Sequence, residues 1–402
     1  MELAMGAKPH HAHPALVLFA LAMGAFAIGT TEFAAMSLLP FFARDLHIST
    51  PTAGHAISAY ALGVVVGAPV IAAFAARLPR RKLLIGLMAM FAIGNALSAV
   101  SPSYHWLLLF RFISGLPHGA YFGVAALVTA SLVPHERRTL AIAQVMSGLT
   151  IATIIGVPAA NWMGQVLGWR SGFFVVSGLA VITMTLVALY APRVPGDPKA
   201  SPMRELGALS RLQVWLTLLT GAIGFGGLFA VYTYVASTMI EVTHVSESWV
   251  PIVLAIFGIG MTIGNLVAAW LADRAANRTV IGVLLWSAAS LALFPMMAGN
   301  IWTLSLSIFL IGIGGGLGTP LQARLMDVSG DAQTLAAALH HSAFNIANAI
   351  GPLLGGMAIA AGYGLISTGW IGCALSLGGL AIFVLAITLE RRSTQTPAVA
   401  CE

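Results

Sequence analysis

Glu32 lies in GAFAIGTTEFAAMSLLP, residues 24–40, and no basic residue occurs from Pro14 to Ala43. An acid at the centre of an inserted helix costs roughly 2.5–3.5 kcal/mol, so a carboxylate in such a run marks a functional site by default, often one for a proton or an ion. An acid standing in a water-filled interface is the plainer alternative. Arg111, in LLLFRFISGLPHGAYFG, is the one basic residue placed inside an apolar run. At about 1.5 Å of helix per residue, the two charges lie within roughly 5 Å of the same depth. If their runs are neighbours, Glu32 and Arg111 can pair directly or through a water. A nearby guanidinium and an apolar surrounding act on an acid in opposite senses, so movement around Glu32 changes how it holds a proton. The plainer reading of Arg111 is a fixed arginine that binds backbone carbonyls and sets the packing.

Neutral polar residues are spaced to join these two. His118, Tyr121 and Phe122 follow the spacing i, i+3, i+4 and share one helix face. His341, Phe344, Asn345 and Asn348 make a longer stripe in HHSAFNIANAIG. Each residue alone reads as interhelical glue, typically about 0.6 kcal/mol per contact. As stripes near the middle of a span they read as the lining of a cavity. With Tyr60, Tyr232 and Gln322 the candidate lining is uncharged, which favours a neutral ligand. GLTIATIIGVPAANWMGQVLGW, residues 148–169, carries Gly148, Gly156 and Pro158. A span interrupted in this way bends and packs closely, where two bundles would rock against each other. An ordinary proline kink is the alternative.

The elements that must hold these residues are membrane helices. The chain of 402 residues is 58% hydrophobic and 8% charged, where a soluble chain carries about 25% charged residues. About twelve apolar runs are long enough to cross a core of roughly 30 Å. They lie near 15–41, 51–76, 82–101, 105–133, 139–165, 169–191, 213–240, 248–274, 279–298, 301–326, 332–361 and 365–390. Spans of this length must be helices, which satisfy their own backbone groups. Placing both termini in the cytoplasm puts 16 of the 19 basic residues in cytoplasmic segments and only Arg44 and Arg170 outside, as the positive-inside rule requires. The polar interval around 192–212 separates an N-terminal bundle of six helices, 15–191, from a C-terminal bundle, 213–390, with tails at 1–14 and 391–402. The loops FAARLPRRKLLIG (74–86) and WLADRAANRTVIG (270–282) repeat weakly at corresponding places in the two halves.

Other functions find little support. HERR at 135–138 is not a zinc-protease motif, and the chain carries no nucleophile elbow, P-loop or Cys/His zinc spacing. An enzyme is not expected. His10, His11 and His13 lie in the N-terminal tail and are not read as a metal site. Cys373 and Cys401 make no disulfide framework. The basic residues fall in short loops, so nucleic acid is not an expected partner. No cleavable signal peptide is read, because the first run is too long and many others follow. Without a nucleotide-hydrolysing domain, active transport must draw on an ion gradient, with no other cofactor.

GTTEF with LLP, AGHAISAYALGVVVGAP (53–69), RFISGLPHGAYFG (111–123), PLQARLM (320–326) and AFNIANAIGPLLGG (343–356) resemble the major facilitator superfamily. The likeness lies within its twelve-helix drug:proton antiporters, close to the bacterial arabinose-efflux-permease-like exporters. It covers nearly the whole chain. The resemblance implies an inner-membrane exporter of a sugar or a small hydrophobic drug, acting as a monomer among membrane lipids. It carries the proton-coupling arginine onto Arg111 and the antiporter motif of the fifth span onto Gly148 to Gly164. It implies a gate at the cytoplasmic loops, here Arg77, Arg80 and Arg81, and Asp273 with Arg274. The chain departs from the family in the first loop, where Ala76 and Pro79 replace the usual aspartate and glycine. In the fifth span Val157 separates Gly156 from Pro158.

The reading is proton-coupled efflux, with Glu32 carrying the proton. The rivals are a facilitator or uptake permease in which Glu32 binds substrate, and a non-transporting membrane sensor.

Overall fold

The computed structural model describes residues 14–75, 78–134, 137–193, 210–329 and 333–395. The apolar runs form the helices α1 (Pro14–Ser37), α2 (Thr50–Ala75), α3 (Arg80–Ala99), α4 (Tyr104–Leu132), α5 (Ala141–Leu167), α6 (Arg170–Tyr190) and α7 (Leu212–Glu241). The next helical stretch, Val250–Met297, has 48 residues, and Ala275 within it is non-helical (φ −158°, ψ 69°). A continuous helix of that length would reach about 72 Å, more than twice a hydrocarbon core. The break divides it into α8 (250–274) and α9 (276–297). The remaining helices are α10 (Ile301–Ser329), α11 (Leu339–Tyr363) and α12 (Ser367–Arg391). The spans number twelve and no strand occurs among the described residues. With an even number of spans, α1 begins and α12 ends on the same membrane face, called here the terminal face.

Helix ends follow local chemistry. Asn300 caps α10, its side chain accepting the Trp302 backbone N–H at 2.9 Å. Gly168 (φ +87°) closes α5 and Gly364 (φ +74°) follows α11, both in backbone conformations that favour glycine. Large apolar side chains such as Phe19, Ile93, Leu266 and Met296 remain exposed, as lipid-facing positions must.

Interior interruptions recur every third helix. The helix of α1 is interrupted at Leu38 before the short helix Leu39–Asp45. α4 breaks at Leu116–Pro117, α7 at Phe225 and again at Thr233–Tyr234, and α10 tightens at Gly314–Leu317. Pro40 and Pro117 lie beside the breaks in α1 and α4, Gly224 and Gly226 flank Phe225, and Gly314 to Gly316 make the tightened turn of α10. Discontinuous helices at corresponding places in internal repeats are the elements that line transport sites.

One apolar cluster runs through both bundles, from Phe33, Leu39, Ile57 and Phe173 to Phe229, Tyr232, Leu254 and Phe257. Its N-bundle members all come from the half away from the terminal face. Nearer the terminal face each bundle keeps a cluster of its own, around Val17, Leu84 and Val128 in one and around Val214, Leu218 and Leu325 in the other. The interface is therefore sealed on the far face.

Candidate functional site

Glu32 stands one turn before the end of α1 and is 7% exposed. Its Oε1 accepts a hydrogen bond from Asn348 Nδ2 of α11 at 3.1 Å. The acid of one bundle thus bonds to a neutral amide of the other. Beside it, Ser58 Oγ of α2 donates to the Ala349 carbonyl at 2.9 Å. Phe33, the next residue of α1, stacks on Phe229 (6.1 Å) and meets the edge of Tyr232 (5.7 Å).

Arg111 is fully buried and does not pair directly with Glu32, the first of the two arrangements open from sequence. Among the described residues no ion pair within 4.0 Å joins them. Its Nη1 donates to Thr31 Oγ1 at 3.3 Å, and Thr31 donates on to Asn95 Oδ1 at 2.7 Å. The guanidinium carbon sits 4.3 Å from the centre of the Tyr60 ring and 5.4 Å from Phe173. Its Nε and Nη2 find no hydrogen-bond partner among the described residues. Arg111 is thus held within its own bundle by Thr31, a residue adjacent to Glu32, with donors to spare. Neither Thr31 nor Asn95 was singled out from the sequence; the available signal was an asparagine within the apolar run of α3.

A chain of rings leads from this pocket to α11. Tyr60 Oη and His118 Nδ1 are 2.9 Å apart. His118 lies 5.3 Å from Phe122, which stacks nearly parallel on His341 at 5.3 Å and 8°. Asn345, one turn beyond His341, uses its Nδ2 on the His341 carbonyl. Asn345 Oδ1, Asn348 Oδ1 and Tyr232 Oη are buried without a partner among the described residues. Phe344 packs at 4.0 Å against Phe225 of α7.

Two expected lining residues lie elsewhere. The Tyr121 hydroxyl donates to the Leu21 carbonyl at 2.8 Å, and its ring fills the notch over Gly24. It packs α4 on α1 and has no free polar atom for a ligand. Gln322 is only half buried in the terminal half of α10 and makes no described polar contact with the cluster. Its neighbour Arg324, counted by sequence among the cytoplasmic basic residues at the end of the run 301–326, is buried in α10 and donates to Asn277, Gln213 and Glu390, each at 3.1 Å.

The major facilitator superfamily model matches residues 21–281 and 218–400. The chain belongs to the major facilitator superfamily. It is 40% identical over 384 residues to the inner membrane transport protein YdhP of Escherichia coli (strain K12), covering 95% of this chain and 98% of YdhP. It is 33% identical over 393 residues to the chloramphenicol resistance protein of Streptomyces lividans, covering 95% and 98%. A crystal structure of a bacterial homolog to the human lysosomal transporter Spinster superposes with a TM-score of 0.74 at 17% identity, covering 96% of this chain and 99% of that one. The protein is a multi-pass inner-membrane transporter and not an enzyme.

In this superfamily member the fifth span touches both bundles. A turn of π-helix, Ala152–Gly156, precedes Pro158, the kind of local widening that accommodates a missing N–H. Gly148 lies against the Ala22 carbonyl and Gly156 against Thr30 and Phe26, so α5 presses on α1. From the C bundle Gly258 of α8 faces the Thr153 carbonyl so closely that an added Cβ would stand 2.7 Å from it.

The residues expected to gate at the terminal face form no described latch between bundles. Arg77 lies outside the described residues. Arg80 donates to the Leu127 carbonyl and Arg81 to that of Ala188, both in the N bundle. Arg274 donates to Trp270 within its own helix and stacks on that ring at 3.8 Å. Asp273 is exposed and makes no ion pair among the described residues. Besides the interior bonds of Asn348 to Glu32 and of Ser58 to the Ala349 carbonyl, polar ties between the bundles are described at the far face: Arg44 pairs with Glu247 at 2.6 Å, and Gln165 Nε2 donates to the Glu247 carbonyl at 2.7 Å. The ion pair is substantially exposed, so it is worth about 0–1 kcal/mol.

Asp45, at the same face, accepts from Arg170 and from the Trp169 indole. Those hydrogen bonds, Arg170's first, hold its carboxyl below the usual range. A depressed carboxyl stabilises the fold above its unfolded value of about 3.9 and loses that contribution only as pH falls through the lower folded value. Between pH 5 and 8 Asp45 therefore stays ionised. Asp45→Asn should scale transport by less than about twofold and leave the shape of its pH profile over that window unchanged, as measured in a series of buffered vesicles.

Proposed function

We propose that the protein exports a small, neutral solute across the bacterial inner membrane in exchange for protons, as a monomer working by alternating access. The observation that carries this reading is Glu32: a buried carboxylate at the bundle interface, bonded across it to a neutral amide and to no cation. A charge so placed is accommodated either by a proton or by rearrangement of its partners, and both change when the bundles move. Efflux is supported by the likeness to the chloramphenicol resistance protein. A neutral solute is supported by a lining of Tyr60, His118, Phe122, Tyr232, His341, Phe344, Asn345 and Asn348, in which Asn345 Oδ1, Asn348 Oδ1 and Tyr232 Oη are free to bind hydroxyl or N–H donors. A sugar and a small hydrophobic drug with such donors both meet that requirement.

A cytoplasmic terminal face is supported by the distribution of basic residues, and with that orientation the sealed far face is periplasmic. Exchange then needs only that substrate prefer the deprotonated acid. A thermal-shift screen of pentoses, thiogalactosides, chloramphenicol-like drugs and purines selects the ligand. Adding that ligand to detergent-solubilised protein in weak buffer near neutral pH should release protons in proportion to the sites filled, and none from Glu32→Gln. Ligand binding without proton release would favour the facilitator, in which Glu32 is a substrate ligand.

A further inference from the structure

The sealed interface holds an acid whose only described partner is an amide used to half capacity. Asn348 is fully buried on α11. Its Nδ2 donates to Glu32 Oε1, and its Oδ1 has no partner among the described residues. An ionised carboxylate accepts only, and a protonated one also offers an O–H. The donor half of the amide suits the first form. The idle acceptor half suits the second, after a half-turn of the amide. We propose that Asn348 is the positioning residue that lets the bundles stay closed over Glu32 in either charge state, so that the proton leaves without the far face reopening. This rests on the reading of Glu32 as the proton carrier.

Glu32 has no other described bonding partner that could do this. Tyr60 on α2 is bonded to His118. Arg111 on α4 keeps two donors unpartnered among the described residues, but it is tied to Thr31 within the N bundle and makes no ion pair with Glu32 within 4.0 Å. His118 is engaged with Tyr60, and Tyr121 with the Leu21 carbonyl. On α7, Tyr232 meets α1 at Phe33, and Glu241 lies at the far end of that helix. On α11, His341 is stacked on Phe122, and His340 packs on Phe344. Around α1 the remaining titratable groups stand at element ends: Arg138 beside α5, Arg170 and Tyr190 on α6, Arg44 and Asp45 on the short helix. The companion bond of Ser58 to the Ala349 carbonyl contains nothing that titrates. Within the described contact between α1 and α11, then, the acid alone changes charge and Asn348 alone answers it. With an apolar residue at 348, the ionised acid would be buried without a donor from the facing bundle, and closure would favour the protonated acid.

The test uses the full chain in nanodiscs with Cys373→Ser and Cys401→Ser, and spin labels at Ser49→Cys and Ser248→Cys, both exposed on the far face. Asn348→Leu and wild type should show the same closed population at pH 5. At pH 9 the closed-to-open ratio of Asn348→Leu should be at least tenfold lower. Asn348→Thr, which keeps a donor, should recover most of the difference, as a purely space-filling role would not require. Asn348→Asp gives a second measure should the leucine variant fail to reach the membrane: two facing carboxylates should also lower the ratio at least tenfold at pH 9 and not at pH 5. Glu32→Gln should be closed to the same extent at both pH values. If Asn348→Leu or Asn348→Asp follows wild type at pH 9 while Glu32→Gln loses proton-driven transport, the proton carrier stands and the role of Asn348 is overturned. If Glu32→Gln retains proton-driven transport, the reading of Glu32 fails first.

Discussion

Glu32→Gln should lose proton-driven efflux entirely and keep the fold. One charge crossing 100 mV is worth about 2.3 kcal/mol, and one pH unit about 1.36 kcal/mol. Together these let a one-for-one antiporter hold a solute gradient of roughly several hundredfold. Glutamine is close to isosteric and still offers Oε1 to Asn348 Nδ2, so the bundle contact survives without the proton. Proteoliposomes carrying the variant should therefore still exchange labelled for unlabelled solute, at a higher half-saturating solute concentration than wild type, because glutamine mimics the protonated acid that substrate disfavours. Under the full proton gradient they should reach an inside-to-outside ratio near one. A variant that still pumps solute uphill would place the coupling proton on another group.

Gly258→Ala should unseal the far face. The new methyl would meet backbone on α5, with Thr153 O, Thr153 C and Ile154 N at 2.7, 2.8 and 3.0 Å. Backbone in a π-turn held from the other side by Gly148 and Gly156 against α1 has little room to give. Overpacking of this kind typically costs about 1–3 kcal/mol, which is borne only when the bundles are in contact. The open population should rise by roughly 5- to 150-fold, read as a longer distance between labels on the two bundles. Gly282→Ala on α9 is the control, since its Cβ would meet nothing within 4 Å. Identical distance distributions for Gly258→Ala and wild type would mean that α5 and α8 do not set the closed state.

Much of the fold was readable along the chain because lipid enforces simple rules. Hydrocarbon thickness fixes span length, unsatisfied backbone groups force helices, and long charged residues settle at the ends. The helical break at Ala275 falls in a loop that composition had already marked. Arg324 was misplaced because a basic residue near a helix end normally snorkels outward. Here Gln213, Asn277 and Glu390 come from neighbouring helices to satisfy it.

Residue type and spacing alone mark Glu32 as a membrane-embedded acid at about the depth of Arg111, a polar stripe along α11, and a fifth span that bends. Which of these groups meet follows from how the helices pack. Depth follows from counting residues, but direction around a helix does not, and successive residues diverge by about 100°. Thr31 therefore turns into the N bundle toward Arg111 and Asn95, while Glu32, the very next residue, turns across the interface to Asn348. The same rotation sends Tyr121 into packing against Leu21 and leaves Phe122 to stack on His341. Sequence located the charge; the packing of two bundles gave it a neutral partner.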